Sequence, residues 1–261
     1  MRRLEQKIVF LDIDGTILDH QKQIPEATSL AIKKLQEEGV IVSIATGRAP
    51  FMIQDILAEL ELTSHITFNG QHAVYNGEVI HQNPIEASLI QQLTDYSIEN
   101  NHPLVFQSDH DMRSNVTESS FIEKGMKSLK LTHPLTDLEY YKKHDIFQVL
   151  LFNESFEQKA YEDKFDALRF VRWHEFSCDV LPGIGSKAHG IKQFVSKLGI
   201  KWENTYAFGD GMNDIEMIES VHTGVAMGNA VPEVKQVADL VTDNVENEGL
   251  SKAMKQLGLI S

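Results

Sequence analysis

Four consecutive apolar residues, Ile8-Val9-Phe10-Leu11, run straight into a pair of carboxylates in Asp12-Ile13-Asp14-Gly15-Thr16. So short an apolar run, with no polar alternation, is the pattern of a strand covered on both faces. Such strands belong to parallel sheets flanked by helices. The rest of the first eighty residues keeps that rhythm. Pro25 opens a predicted helix with Leu30, Ala31 and Leu35 on one face and Gly39 at its C′ position. A second buried strand is predicted over Val40–Ala45, a helix over Ala49–Leu60 and a third strand near His65–Phe68. Asn76-Gly77 then turns a hairpin between Ala73-Val74-Tyr75 and Val79-Ile80.

From Pro84 the rhythm changes. Helices are expected over Ile85–Glu99, Glu118–Leu129 and Glu157–Leu168, among short strands near Leu104–Gln107, Met112–Asn115, Ile146–Phe152, Phe170–Trp173 and Phe176–Leu181. This reads as an α+β layer, and Pro182-Gly183-Ile184-Gly185 is a plausible hinge out of it. After Ser186 strand and helix alternate again. A helix runs to Leu198, with strands at Thr205–Phe208, Gly224–Met227 and Leu240-Val241 and helices at Asn213–Ser220, Val231–Val237 and from Gly249. The expected fold class is α/β: a doubly wound parallel-sheet (Rossmann-like) core built from residues 1–82 and 184–261, carrying an inserted α+β domain over residues 83–183.

Charge and cysteine content narrow the function. Lys plus Arg number 24 against 38 Asp plus Glu, a formal net charge of −14. That field repels nucleic acid and acidic membrane surfaces, so neither is an expected partner, and a phosphate ligand needs local positive potential. The single cysteine, Cys178, excludes an intramolecular disulfide and suits a reducing, cytoplasmic setting. The two N-terminal arginines precede only a brief apolar run, and no stretch approaches the roughly 20 apolar residues of a membrane span. A monomer or a homodimer is expected.

Three acid- or hydroxyl-bearing segments stand at predicted strand ends, where ligands bind in open α/β sheets. Asp12 and Asp14 follow the first strand. A calcium loop would need its glycine sixth from the first Asp and a helix before it; here the glycine is fourth and a strand precedes. A merely polar turn is the bland alternative, and the pattern arises by chance in roughly one of several hundred such chains. Ala45-Thr46-Gly47-Arg48 offers a hydroxyl and backbone N–H groups before a helix, an anion cradle that would be weak evidence alone. Gly209-Asp210-Gly211-Met212-Asn213-Asp214 adds two carboxylates and an amide, although Asp214 could simply cap a helix. Convergence of Asp12, Asp14, Asp210 and Asp214 would put about four negative charges in one pocket, which calls for a divalent cation. All-oxygen ligands suit Mg²⁺. Lys187, at a helix start, is the point cation a phosphate dianion would need.

In combination the chain resembles the haloacid dehalogenase-like hydrolases, specifically the Cof-type phosphatases with a large inserted cap. The resemblance runs from DIDGT at Asp12 through ATGR at Thr46, FNG at Asn69, SK at Lys187 and GDGMND at Asp210 to GVAMGNA at Gly224. It implies Asp12 as nucleophile and Asp14 as general acid/base. Thr46 and Lys187 would orient the phosphoryl group, with Ile13, Gly47, Arg48 and Asn213 also on the phosphate or substrate. Mg²⁺ would be held by Asp12, Asp14 (through its backbone carbonyl) and Asp210, with Asp214 supporting that shell. One departure stands out: Ala188 and His189 intervene between Lys187 and Gly190, where the family usually has glycine sooner. The implied activity is Mg²⁺-dependent hydrolysis of a small phosphorylated metabolite, such as a sugar phosphate, pyridoxal phosphate or a flavin phosphate. A phosphosugar mutase and a non-catalytic phosphometabolite sensor are the alternatives, and a sensor has no need of Asp14. Within the insert, His110, Asp111, Arg113, His174 and Cys178 are the candidates for substrate choice, with Cys178 and Trp173 read as packing residues first, as is Trp202 in the core.

Overall fold

The computed structural model describes residues 5–261, so the two N-terminal arginines lie outside the described residues. In chain order the elements are β1 (Ile8–Leu11), α1 (Glu26–Glu37), β2 (Ile41–Ala45), α2 (Gln54–Glu59), β3 (His65–Thr67), β4 (His72–Tyr75) and β5 (Glu78–Gln82). Next come α3 (Ala87–Glu99), β6 (Leu104–Gln107), β7 (Met112–Ser114), α4 (Ser120–Ser128), β8 (Gln148–Phe152), α5 (Gln158–Lys164), β9 (Leu168–His174) and β10 (Ser177–Pro182). The last stretch holds α6 (Lys187–Leu198), β11 (Thr205–Gly209), α7 (Ile215–Ser220), β12 (Thr223–Ala226), α8 (Pro232–Val237), β13 (Leu240–Val241) and α9 (Gly249–Gln256). Two compact units result. One contains the chain through Arg48, Ile53–Gln82 and Ser186–Ser261; the other contains Ala49–Met52 and Asn83–Gly185.

The first unit is built on one eight-stranded sheet in the order β13-β12-β11-β1-β2-β3-β4-β5. The pairs from β13 to β3 are parallel, and β4 and β5 close one edge as an antiparallel hairpin. Asn76 (φ 49°) and Gly77 (φ 80°) make its turn, both left-handed as a type I′ turn requires. The all-apolar sequence of β1 follows from its central position. Val9 and Leu11 enter a cluster with α1, α2 and α9, while Ile8 and Phe10 enter a second cluster with α6, α7 and α8 on the opposite face.

Three local expectations need correction. Leu30 is 54% exposed; the buried stripe of α1 is Thr28, Ala31, Ile32 and Leu35, spaced i, i+3, i+4, i+7, and Leu30 falls off that stripe. Residues 49–60 are not one helix. A 3₁₀ turn over Pro50–Met52 and the short α2 are separated by Ile53, whose φ of −119° and ψ of 5° cannot carry a helix through. The helix expected to reach Leu168 ends at Lys164, because Phe165 (φ −121°, ψ 70°) leaves helical space and Leu168 already pairs with Pro182 in the next strand.

The second unit has a five-stranded antiparallel sheet in the order β7-β6-β8-β10-β9. Residues of α3 and α5 pack on one face with Leu104, Phe106, Val149, Leu151 and Cys178; Ile122 and Met126 of α4 pack on the other with Val105, Leu150 and Phe152. Cys178 is fully buried there, and burial pushes its thiol up to about 12, so it is a packing residue. Among the described residues no helix is long and apolar enough to cross a membrane.

Candidate active site

β1 lies between β11 and β2, the place where the strand order reverses, and the residues following these three strands gather at their carboxyl ends. Asp12 follows β1, and its N–H donates to the Phe208 carbonyl at 3.0 Å, extending the pairing with β11. The chain then turns sharply, with the N–H groups of Ile17 and Leu18 both donating to the Ile13 carbonyl. Gly15 makes this possible: its φ is +82°, and a Cβ there would lie 2.2 Å from an Asp210 carboxylate oxygen. Only a residue without a side chain lets the two loops approach so closely. Ile13 itself is fully buried in the core, so its side chain is out of reach of any ligand and only its backbone can serve.

Lys187 is the first residue of α6, which starts on the Ser186 hydroxyl accepting from the His189 N–H. Two glycines set where that helix begins: a Cβ on Gly70 would strike the Ser186 carbonyl at 2.0 Å, and one on Gly190 would lie 2.7 Å from the Gly70 Cα. Ala188 is buried in the first turn and the His189 N–H makes the cap bond, so both residues are accommodated there. The buried Lys187 ammonium donates to Asp12 Oδ1 and to Asp214 Oδ1, each at 2.6 Å. The other Asp214 oxygen accepts the N–H groups of Asp210 and Gly211 at 3.0 and 2.9 Å. Asp214 thus organises the loop after β11 and pairs the lysine, with both oxygens already engaged.

Asp14 is handled differently. Its carboxylate accepts a two-pronged bond from Arg48, Nε to Oδ2 at 2.9 Å and Nη2 to Oδ1 at 2.7 Å, and a third bond from Lys22 Nζ at 2.5 Å. Thr46 is buried, and its hydroxyl accepts the Arg48 N–H at 3.1 Å. Gly47 is the other close approach, since a Cβ on it would sit 3.0 Å from the Asn69 amide nitrogen. Asn213 donates to Asn69 Oδ1 at 3.1 Å.

The electrostatics of the two aspartates diverge accordingly. Burial pushes the Asp12 carboxyl well above the usual range, with Asp214 adding to the rise and Lys187 opposing it. Burial, then Asp214, takes Asp210 up to about 7. At Asp14 burial also works upward, but the hydrogen bonds and charge of Arg48, followed by Lys22, hold it below the ordinary value. Burial works against the charge on Lys187, yet Asp12 and Asp214 keep its proton held more tightly than usual.

The acids of the site are not left to a metal ion alone. Three carboxylates converge, those of Asp12, Asp210 and Asp214, and Lys187 already faces two of them, while Arg48 and Lys22 hold the Asp14 carboxylate separately. What is left is more specific. Asp12, Asp210 and Asp214 each offer an oxygen within 4.8 Å of the others, so Asp12 and Asp210 are close enough to share one ion. With Asp214 committed, the donors that retain capacity are Asp12 and Asp210, an oxygen-only pair that fits Mg²⁺, which takes one or two carboxylates and keeps several waters. The Asp14 carboxylate stands apart from this group, on its two cations.

Two further residues belong to the site but carry no role from sequence. Asn229 donates to the Gly15 carbonyl at 2.8 Å and to Asp210 Oδ2 at 3.2 Å, while its own carbonyl oxygen accepts the Val245 N–H at 3.0 Å. Asn69 (φ 50°) holds the Asn213 amide and lies against Gly47. Both sit in motifs visible in the chain, FNG and GNA, but a single loop asparagine is ordinary turn chemistry and signals nothing by itself.

The sequence model of the haloacid dehalogenase-like hydrolases matches residues 9–254. A Bacillus subtilis (strain 168) protein, "Putative phosphatase YkrA", is 47% identical over 257 residues, covering 98% of this chain and all of that one. The crystal structure of a Geobacillus kaustophilus HTA426 protein superposes with a TM-score of 0.93 at 49% identity, over 98% of this chain and 100% of that one. The sugar phosphatase BT4131, of subclass IIB in the same superfamily, superposes with a TM-score of 0.87 at 30% identity, over 98% and 100% of the two chains.

Proposed function

Because the chain belongs to the haloacid dehalogenase-like hydrolases, in the Cof-type group, and is a phosphatase, we propose that it hydrolyses small phosphorylated metabolites, sugar phosphates first among them, through a covalent aspartyl-phosphate on Asp12. One observation carries the reading. Asp12 stands at the carboxyl end of the central strand, its Oδ1 fixed by Lys187 at 2.6 Å and its other oxygen left to attack.

In the first step that oxygen forms a bond to phosphorus while the ester P–O bond breaks. The departing oxygen keeps the bonding pair and takes a proton from Asp14. In the second step a water oxygen attacks phosphorus, Asp14 takes the water proton, and the P–O bond to Asp12 breaks, releasing phosphate and the free carboxylate. The Arg48–Lys22 pairing favours the anionic form of Asp14 that this second step needs, so the proton delivered in the first step is one this carboxylate takes up from solvent beforehand. Lys187 opposes the effect of burial on the Asp12 carboxyl and keeps Asp214 in register. A loose phosphoryl-transfer transition state asks mainly for positioning and charge neutralisation, and Lys187 with the backbone of Thr46-Gly47 serves both.

Mg²⁺ would be held by Asp12 and Asp210, with the Asp14 carbonyl, and when bound it supplies Lewis-acid neutralisation of the transferring phosphoryl group. Asn229 and Asp214 would hold that arrangement in place. The inserted residues 83–183 would act as a cap that selects the substrate and excludes bulk water, with Pro182–Gly185 as its hinge. Release of phosphate from p-nitrophenyl phosphate by the purified protein, with and without Mg²⁺, tests the reading. Phosphate release that depends on the metal supports it, and no release in either condition contradicts it.

A further inference from the structure

Resting on that reading, we propose that Arg48 acts on Asp14 rather than on the phosphate: it is a positioning residue that fixes the plane of the proton-transferring carboxylate, and Lys22 is its partner.

Asp14 occupies the Nε–Nη2 edge of Arg48, one of the two edges on which a guanidinium presents paired N–H donors, at 2.9 and 2.7 Å. While that fork stands, the same edge cannot grip a phosphate in the two-pronged manner for which arginine is suited. The arginine is also built into place through its backbone. Its N–H donates to the Thr46 hydroxyl at 3.1 Å, and its carbonyl accepts the Phe68 N–H at 3.1 Å. Its side chain is only 22% exposed, so the fork is presented from a fixed base.

Lys22 arrives from a separate loop, and that loop is shaped to deliver it. Lys22 has a left-handed φ of 61°, unusual for a residue with a side chain. The Asp19 carboxylate accepts the N–H groups of Gln21 and Gln23 at 2.8 and 2.9 Å, and the Asp19 N–H donates to the Gln23 carbonyl at 2.9 Å, closing the turn around it. The ammonium then meets Asp14 Oδ1, the oxygen that Arg48 Nη2 also reaches. Two unrelated parts of the chain thus converge on one carboxylate, and neither touches Asp12, Asp210 or Asp214 among the described contacts. A proton donor must meet the leaving oxygen in a narrow geometry, and an arginine fork fixes both the rotamer and the plane of a carboxylate.

Leaving-group dependence separates this role from phosphate binding. An alkyl phosphate needs the proton from Asp14 because its alkoxide is a poor leaving group; p-nitrophenyl phosphate departs as a stabilised phenolate and needs it far less. The value of kcat/KM reports events only through departure of the leaving group, so the second step does not blur it. We would measure kcat/KM for a sugar 6-phosphate and for p-nitrophenyl phosphate with the wild type, Arg48→Ala, Arg48→Lys and Lys22→Ala, each with Mg²⁺, together with inhibition by inorganic phosphate. The expected result is a loss on the alkyl ester at least about tenfold greater than on the aryl ester for Arg48→Ala, with little change in phosphate inhibition. Arg48→Lys keeps the charge without the fork and should not restore the alkyl activity. Lys22→Ala, at a half-exposed surface position, should show the same selectivity in smaller degree, and it decides the matter if Arg48→Ala fails to fold. Equal losses on both esters with weakened phosphate inhibition, full rescue by lysine, or no loss at all would each overturn the proposal. Failure of the wild type to hydrolyse either ester would instead overturn the phosphatase reading beneath it.

Discussion

Asp12 and Asp14 are separated by one residue yet live in opposite surroundings. Asp12 belongs to a dry floor, where Lys187 is fully buried between it and Asp214. Asp14 belongs to a wetter rim, its side chain 40% exposed and paired with Arg48 and Lys22. On the floor a buried charge is offset only by its fixed partners, so removing one of them is expensive. On the rim water shares the load, and a carboxylate can exchange protons with solvent and with a leaving group. A nucleophile suits the first setting and a proton shuttle the second, which is why two chemically identical side chains can divide one reaction.

The sharpest break of this contrast is Asp12→Asn. Turnover should fall by about three orders of magnitude or more, while the fold, checked by circular dichroism and thermal melting, stays intact because Lys187 keeps Asp214. Retention of even a tenth of the wild-type rate would remove the covalent mechanism. Next in size is Lys187→Met, which leaves Asp12 and Asp214 buried without their cation. Urea denaturation should show a loss of about 3–5 kcal/mol, and a loss near zero would mean the floor is wetter than described.

A third prediction concerns pH and metal together. Burial raises the Asp210 carboxyl to about 7, so the folded protein binds a proton there that the unfolded chain, with an ordinary carboxyl, gives up at lower pH. Stability of the metal-free protein from this group is therefore highest at low pH and declines as pH rises through about 7. A divalent cation needs the ionised form, so Mg²⁺ should raise the melting temperature more at pH 8 than at pH 6. An equal shift at both values would place the metal away from Asp210. The smallest effect sharpens the contrast from the rim. Lys22→Ala should change unfolding stability by under about 1 kcal/mol, because an exposed ion pair contributes little, and a loss comparable to that of Lys187→Met would erase the distinction between floor and rim.

How far these features can be read in the chain depends on how local their cause is. The all-apolar β1 and the Asn76-Gly77 turn are legible because each is dictated by residues next to one another. The stripe of α1 is less so: Leu30 looks like core by composition, and only the register of the helix sends it to solvent. The break at Ile53 and the early end of α5 depend on backbone angles that no single residue announces. At the site, the acids at strand ends are visible as strand ends, but their partners are not. Lys187 is 175 residues from Asp12, and Arg48 is 34 from Asp14. Sequence supplies such cations without saying which carboxylate each will meet, and the same distance hides Asn229 behind the Asp210 carboxylate. Convergence of that kind is a property of the sheet, which gathers remote strand ends at one edge.

Asp12 is the group proposed to receive the phosphoryl moiety, and the configuration at phosphorus tests this most directly. With an isotopically chiral phosphate ester hydrolysed in isotopically labelled water, two successive in-line displacements, first by Asp12 and then by water, predict phosphate with net retention. Net inversion would mean that water attacks the ester directly, and Asp12 would then be no nucleophile.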